Sequence, residues 1–561
     1  MSKFTSPGDD TFKSNVTEIS KILESSSQKN DIVKALKERL NAYLTEAAEI
    51  EHLLAMQYLY AAFSMKKFPE EFDDYDSNKP MEKGSVNLLR LKQIESIRRW
   101  EAKILYVSRQ EMEHLNLVQN LLAILDCEPF LYRPNYPVSK DKNPLGEPIN
   151  LMPLSKEALE IFRYWEKPDH LNLKSPFNEG APKGIKKLYS TQVDNGKAFN
   201  VENATKLAWE DILNIVNSIG KATNARVDSI EELYTIIRVY FYFLLKFKLI
   251  EGANLNRIVE EHFGFNMTLD PIVEGKYFEY VDAVITQIME EGEGVWGVPP
   301  SLDSHFTVFQ EILDELNEIR ETDRSFNPAL PVPWNPTISA VPAYHSFHLP
   351  PTDKTHDANS PYYNVTNPVA IEAMDIYNGA YNVLVKMLHG FFRFYSIDYT
   401  TGIRPPVPNA FFSTAFYPFM TMVMRPLAEV ICRLPADKSY IPVDGKVPPK
   451  TAGPNFFLEI AHNSTLDEIN VQFQVSNDMN YFMDIFNDLA KRCSALSKEC
   501  TRMGYHIANY KVEDARDFDV RLSYLAENFE RIGQNFQNYW EGKIVAPIPS
   551  KNFQNFNNTY N

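Results

Sequence analysis

Glu111 and His114 are the residues whose types and spacing point most directly to chemistry. They form a Glu-x-x-His pair in a segment with helical periodicity, and residues three apart share one face of an α-helix. The same face carries apolar side chains, namely Ile104, Val107, Leu115, Val118, Leu122 and Leu125. A carboxylate and an imidazole buried in a helix bundle are costly unless a partner neutralises them, and facing helices that supply such groups can bind two metal ions. The alternative is a buried histidine that is satisfied by a neighbouring glutamate.

Glu51, in the first predicted helix, is the next candidate ligand. Its stripe carries small and apolar residues, namely Leu44, Ala47, Ala48, Leu54, Ala55, Tyr58 and Ala62, so we expect it to face the core. Glu49 and His52 form a competing Glu-x-x-His pair on the adjacent face. The small neighbours favour Glu51, because they allow another helix to approach. Glu113, on the outward face of its own helix, is predicted to be solvated.

Glu232 has two interpretations. It lies near the start of a predicted helix, on a face with Ile236, Val239 and Phe243, which would direct it inward. Ser229 and Glu232 also have the spacing of a capping box, in which the glutamate returns to the serine amide. From the pattern alone, the capping role is favoured over metal binding.

The last candidate pair is Glu293 with His305. Three carboxylates, Glu290, Glu291 and Glu293, lie at a predicted helix C-terminus, where the helix dipole disfavours negative charge and a nearby cation would relieve the penalty. His305 begins the next helix on an inward face. An interrupted helix would place Glu293 and His305 as a discontinuous Glu-x-x-His pair. Its rival, Glu459 with His462, has the right spacing but lacks a long apolar stripe.

Composition excludes several classes of function. The chain has 57 Lys and Arg against 74 Asp and Glu, a net charge of −17, which argues against binding to nucleic acid or to an anionic membrane. Four scattered cysteines indicate neither a disulfide framework nor a thiolate zinc site. The N-terminus lacks the apolar segment of a signal peptide. The most apolar window, 411–434, is interrupted by charge and proline, so we expect a cytoplasmic protein.

Helical periodicity dominates the chain and predicts an all-α fold with long irregular loops. The predicted helices are 31–63, 86–125, 203–218, 229–250, 273–294, 304–320, 369–396, 410–434, 466–510 and 513–540. The predicted organisation is a flexible N-terminus at 1–30, a helical bundle at 31–325 with a Pro- and Asn-rich insertion at 129–200, a loop and helical extension at 326–460, a C-terminal helical region at 461–545 and a tail at 546–561.

Seven short segments together resemble one family. They are the run Glu51-His-Leu-Leu-Ala-Met-Gln-Tyr, Glu111-Met-Glu-His114, Ser229-Ile-Glu-Glu-Leu-Tyr, Glu291-Gly-Glu-Gly with Ser304-His-Phe, Met424-Arg-Pro-Leu-Ala and Thr451-Ala-Gly-Pro-Asn-Phe. In this order they resemble the ferritin-like domain of iminophenyl-pyruvate dimer synthase, a violacein-pathway enzyme, and its chromopyrrolate synthase relatives. The resemblance covers roughly residues 35–460. It implies a ferritin-like four-helix bundle with metal ligands at Glu51, Glu111, His114, Glu232, Glu293 and His305.

The implied cofactor is a dinuclear non-haem iron centre, with manganese as an alternative, because carboxylate and imidazole ligands suit these metals. The resemblance implies an O2-dependent oxidase or oxygenase that acts on a small, amino-acid-derived metabolite of a secondary pathway. The expected partners are that substrate and O2, without nucleic acid or membrane, and homodimer formation is left open. Two alternatives remain: an iron-oxidising protein, and a non-catalytic helical interaction protein.

Overall fold

Long helices make up most of the part of the chain that the structure, a computed structural model, describes. That part comprises residues 28–138, 147–167, 201–217, 229–250, 276–292, 304–338, 362–395, 404–443, 447–459, 478–505 and 517–545, with isolated positions at 21, 143, 145, 227 and 259. Within these ranges, the first seven helices are α1 (Lys29–Phe63), α2 (Val86–Ile124), α3 (Lys156–Trp165), α4 (Val201–Asn217), α5 (Ile230–Lys246), α6 (Tyr277–Glu291) and α7 (His305–Thr322). The predicted all-α fold is confirmed.

The later helices are α8 (Pro368–Phe394), α9 (Pro406–Thr414), α10 (Arg425–Ile431), α11 (Met479–Met503) and α12 (Phe518–Trp540). A π-helix, Ala415–Met424, connects α9 to α10 and contains Pro418. A short 3₁₀ turn, Pro69–Glu71, follows α1. The two-residue strands β1 (Pro336–Thr337) and β2 (Tyr363–Asn364) pair in parallel. None of the helices in the described ranges is long and apolar enough to cross a membrane.

Helices α1 and α2 form the centre of the bundle. Neither contains Gly or Pro, and both are long, as their apolar periodicity predicts. Ser85 starts α2, because its side chain accepts a hydrogen bond from the Leu88 amide at 3.3 Å and so satisfies one of the free N–H groups of the first turn. Helices α4 and α5 contact α1, while α6 and α7 contact α2. The residues that α1 and α2 direct inward are therefore enclosed by other helices.

Helix α3 lies inside the insertion at 129–200, where the sequence analysis predicted no helix. Its N-cap is Ser155, whose Oγ accepts from the Ala158 amide at 3.1 Å. Apolar side chains recur along one face, and Ala158, Leu159, Phe162 and Trp165 are buried. The helix packs on α7. The insertion thus contributes a structural element to the bundle.

Helices α8 to α12 pack on one another and contact the bundle through α10 and α1. Buried polar contacts join the two parts. Arg433 forms an ion pair with Glu71, with Nε 2.6 Å from Oε1. Tyr381 of α8 hydrogen-bonds to Nε2 of His52 on α1 at 2.5 Å. Because these groups are buried, the two parts share a continuous core.

Candidate metal centre

Five buried side chains converge between α1, α2, α3 and α7. They form two groups: Glu51, Glu111 and His114, and Glu111, Glu166 and His305. Within each group the potential ligand atoms all lie within 4.8 Å of one another. None of the five residues is more than 3% exposed. Glu111 belongs to both groups, so the cluster has the form of a two-metal site with one shared carboxylate.

Each side chain is positioned by a well-defined element. Glu51 lies in the middle of α1, and Glu111 and His114 are one turn apart in α2. Glu166 is the C-cap residue of α3. His305 is the first residue of α7, directly after the N-cap Ser304, whose side chain accepts from the Thr307 amide. The ligand candidates therefore lie on rigid helices or at their capped ends.

The two oxygens of Glu111 face different histidines. Oε2 lies 3.4 Å from Nδ1 of His114, and Oε1 lies 3.0 Å from Nδ1 of His305. Each histidine nitrogen also faces a second carboxylate, since His114 Nδ1 is 3.4 Å from Glu51 Oε2 and His305 Nδ1 is 3.4 Å from Glu166 Oε2. The two imidazole rings are stacked, with centroids 5.6 Å apart. The geometry allows Glu111 to bridge two cations.

Glu291, the last residue of α6, completes the surroundings of His114. Its Oε2 lies 3.1 Å from Nε2 of His114, and its other oxygen accepts from Gln287 at 2.9 Å. A histidine that binds metal through one nitrogen commonly donates its other N–H to a carboxylate, which fixes the ring orientation. The position of Glu291 fits this role, and its side chain is 29% exposed, unlike the five buried residues. Glu293, predicted as the ligand from this segment, lies outside the described residues.

The carboxylates of the cluster have no lysine or arginine partner among the described residues. The ion pairs of Glu51, Glu111, Glu166 and Glu291 are all with the two histidines. Oε1 of Glu111 and Nδ1 of His305 lie 3.0 Å apart, but their geometry makes no hydrogen bond. Buried polar atoms without partners are rare in folded proteins. A cation bound between them would satisfy these atoms.

The charges shift the pKa values within the cluster. Burial raises the pKa of Glu51 to about 7. Burial lowers the pKa of His305, but the charges of Glu111 and Glu166 outweigh it and raise the pKa to about 9. For His114, burial is likewise outweighed by hydrogen bonds to its carboxylate neighbours, so its pKa lies well above the ordinary value. Without metal, protons on the imidazoles neutralise part of the carboxylate charge, and a cation would replace these protons.

A comparison with known protein families gives a match over residues 44–314, a range that includes every residue of the cluster. The Ferritin-like family model matches this range. The match is to the broad family and does not distinguish the narrower resemblance to iminophenyl-pyruvate dimer synthase. No match to a curated protein or to a solved structure reaches significance. We call residues 44–314 the ferritin-like region.

Glu232 belongs to neither group of the ferritin-like region. Its backbone amide donates to Oγ of Ser229 at 3.0 Å, so Ser229 is the N-cap of α5, as the capping pattern indicated. The Glu232 side chain is buried, and its predicted role as a metal ligand stays a prediction. Another residue of α5, Tyr234, contacts the cluster directly, because it donates a hydrogen bond to Oε1 of Glu51.

The competing pair on α1 points elsewhere. Nδ1 of His52 lies 2.9 Å from the carbonyl of Leu131, and its Nε2 accepts from Tyr381. Both nitrogens are used in contacts remote from the two groups. Glu113 was predicted to be solvated, which is wrong: it is 2% exposed, because α2 is covered on more than one face. His462 lies outside the described residues.

Glu166 is the residue that the sequence analysis missed. It follows Trp165 at the end of α3, and its Oε1 accepts a hydrogen bond from Tyr58. The detectable signal was the helix itself, with a serine N-cap and apolar residues three and four apart. No spacing rule relates Glu166 to His305, since 139 positions separate them.

Proposed function

We propose that this protein is a non-haem dimetal oxidoreductase with iron, or iron and manganese, bound by Glu51, Glu111, His114, Glu166 and His305. The observation that carries the proposal is that two buried ligand groups share Glu111. Carboxylate oxygens and imidazole nitrogens are suitable ligands for iron and manganese. The Ferritin-like match over residues 44–314 supports it, because that fold places such ligands on facing helices.

The charge of the cluster supports the binding of two divalent cations rather than one. Glu51, Glu111, Glu166 and Glu291 carry four negative charges when ionised, and the histidines are neutral when they bind metal. Two divalent cations would balance these four charges. Burying this many carboxylates without compensation would be strongly unfavourable, which also argues against a purely structural Glu–His network.

When bound, a pair of redox-active ions supplies the capacity to bind and reduce O2. The chain contributes the setting for this chemistry. Glu111 would be shared by the two ions, and Glu51 and Glu166 would each bind one of them. Apolar side chains, namely Leu54, Ile230, Ile288 and Met289, line the small cavity beside the carboxylates and keep water from it.

We propose further that the substrate is a small, amino-acid-derived metabolite. The support is the ordered set of short segments that resembles iminophenyl-pyruvate dimer synthase and its relatives. That resemblance extends beyond the ferritin-like region to residues 424–428 and 451–456, and Gly453 of the second segment packs against the Tyr60 ring. The second segment therefore packs on α1, and α10, which includes residues 425–428 of the first segment, also contacts α1.

A second candidate, the oxidation of Fe(II) without an organic substrate, is favoured by one observation. Among the described residues, the cavity lined by Glu51, Glu111, His114 and Glu166 measures only about 10 Å³. That is about the space of one water molecule. A metal ion or O2 fits such a space more readily than an amino acid does.

Metal analysis followed by oxygen consumption tests the proposal. The protein is purified without chelators and its iron and manganese are quantified, with about two ions per chain expected. The iron-loaded protein is then supplied with amino acids and their ketoacids. Oxygen uptake that continues over many turnovers with one of them supports the oxidase. Uptake only on addition of Fe(II) supports iron oxidation, and the absence of bound metal contradicts both.

Metal binding should stabilise the protein more as the pH rises. Glu51 has a folded-state pKa of about 7 against an ordinary 4.5, and His305 has about 9 against 6.5. A group whose pKa is raised by folding stabilises the folded state fully at a pH below its unfolded-state pKa. This stabilisation is lost as the pH rises through its folded-state pKa. The metal-free protein should therefore lose stability between about pH 5 and about pH 9, whereas metal binds the deprotonated groups. Thermal unfolding with and without Mn²⁺ should show a widening difference in Tm, and a constant difference would contradict the assignment.

A further inference from the structure

Two buried phenols contact the terminal carboxylates of the cluster. Tyr234, from α5, donates a hydrogen bond to Oε1 of Glu51. Tyr58, from α1, donates to Oε1 of Glu166. Both tyrosines are 0% exposed, and neither belongs to the two ligand groups.

The two contacts have the same form. In each case the phenol binds Oε1 of the carboxylate, while Oε2 faces a histidine nitrogen at 3.4 Å. Tyr234, Glu51 and His114 therefore form one half of the cluster. Tyr58, Glu166 and His305 form the other half, and Glu111 lies between the halves. The phenols fix which oxygen of each carboxylate points toward the centre.

The tyrosines are themselves held in place by packing. Tyr58 packs against Phe162 of α3 and Phe309 of α7, with ring centroids 4.8 and 4.9 Å apart. These two helices also supply Glu166 and His305. Tyr234 lies on the first turns of α5 and reaches α1 at Glu51. Each phenol thus connects two of the helices that build its half of the site.

We propose that Tyr234 and Tyr58 are positioning residues, one for each metal: Tyr234 orients Glu51 and Tyr58 orients Glu166. The inference rests on the proposed dimetal function. Partners that orient a ligand from outside typically account for 10–100-fold in metal affinity. Because each phenol contacts a carboxylate of only one half, removing one phenol should weaken the binding of one ion and leave the affinity for the other unchanged.

The test is the affinity of each Mn²⁺ ion in Tyr234→Phe and Tyr58→Phe, measured by equilibrium titration of the full chain with Mn²⁺ alone. Each variant should bind one ion with wild-type affinity and the other roughly 10–100-fold more weakly. Tyr60→Phe is the matched control, since Tyr60 is a buried phenol of α1 that donates to the carbonyl of Pro333. It should leave both affinities unchanged.

A second background identifies which ion is affected. In Glu166→Ala, only the position built by Glu51 and His114 keeps its ligands. Adding Tyr234→Phe should therefore lower the affinity for the remaining ion, whereas adding Tyr58→Phe should leave that affinity unchanged. Unchanged affinities in both phenylalanine variants, or equal weakening of both ions by either one, would overturn the positioning roles. Failure of the wild-type protein to bind two ions would instead overturn the proposed function.

Discussion

Replacing Glu111 with alanine should remove both metal ions from the protein. Glu111 is the only residue common to the two described ligand groups, and its two oxygens face His305 and His114 at 3.0 and 3.4 Å. Loss of this shared carboxylate should lower the affinity for both ions by more than about 100-fold, the loss typical when a residue that only orients a ligand is removed. Metal quantification after purification should therefore show background iron and manganese, and oxygen uptake should disappear with the metal.

Two further variants make the Glu111 result specific. Glu111→Gln keeps the volume of the side chain but removes its charge, so it should also lose metal while keeping the helical circular dichroism spectrum. Glu113→Gln is the matched control, because Glu113 is equally buried in α2 and belongs to neither group. A protein that retains its full metal content in Glu111→Ala would exclude the two-metal assignment.

Replacing Arg433 with methionine should destabilise the whole protein. Arg433 and Glu71 have side chains 3% and 1% exposed, and two nitrogens of the guanidinium contact the carboxylate, at 2.6 and 3.2 Å. Removing one member of a buried ion pair leaves the other charge uncompensated, which typically costs about 3–5 kcal/mol. Chemical denaturation should show a lower unfolding midpoint by circular dichroism.

The double variant Arg433→Met with Glu71→Gln shows whether the destabilisation in Arg433→Met comes from the unpaired charge of Glu71 or from lost packing. The introduced glutamine side chain would keep an oxygen for the amides of Lys67 and Phe68, which now donate to Glu71, and would carry no charge. The double variant should therefore be more stable than Arg433→Met alone. Arg502→Met, which removes an exposed arginine paired with Glu499, should leave the midpoint unchanged. A wild-type midpoint in Arg433→Met would show that the pair does not stabilise the fold.

The sequence predicted the parts of the site that depend on helical periodicity. Glu51, Glu111 and His114 lie on long helices whose apolar residues define an inward face, and the structure brings these three side chains together. His305 was also found from its inward face at a helix start. Periodicity is informative in these cases because the 3.6-residue repeat fixes the direction of every side chain once one face is buried.

The residues that the sequence did not reveal depend on long-range packing. Glu166 enters from an insertion helix, and no local pattern specifies that α3 packs on α7. At the end of α6, Glu291 contacts His114, a contact that the sequence analysis did not predict. Whether Glu291 faces the cluster depends on where α6 ends, and helix ends are the least predictable feature of a sequence. Glu113 shows the same limitation, because a single apolar stripe does not reveal that a helix is enclosed on its other faces.

Adjacent residues of α1 contact different parts of the molecule. Glu51 points toward the candidate metal centre, whereas His52 is hydrogen-bonded to Tyr381 of α8. Arg133, fully buried, also donates to Tyr381 and to the carbonyl of Phe456. A protein shortened after residue 325 would expose these polar groups and the apolar surface around them. The ferritin-like region is thus not expected to be an autonomous folding unit, because its helix α1 carries a buried histidine whose hydrogen-bond partner lies on α8.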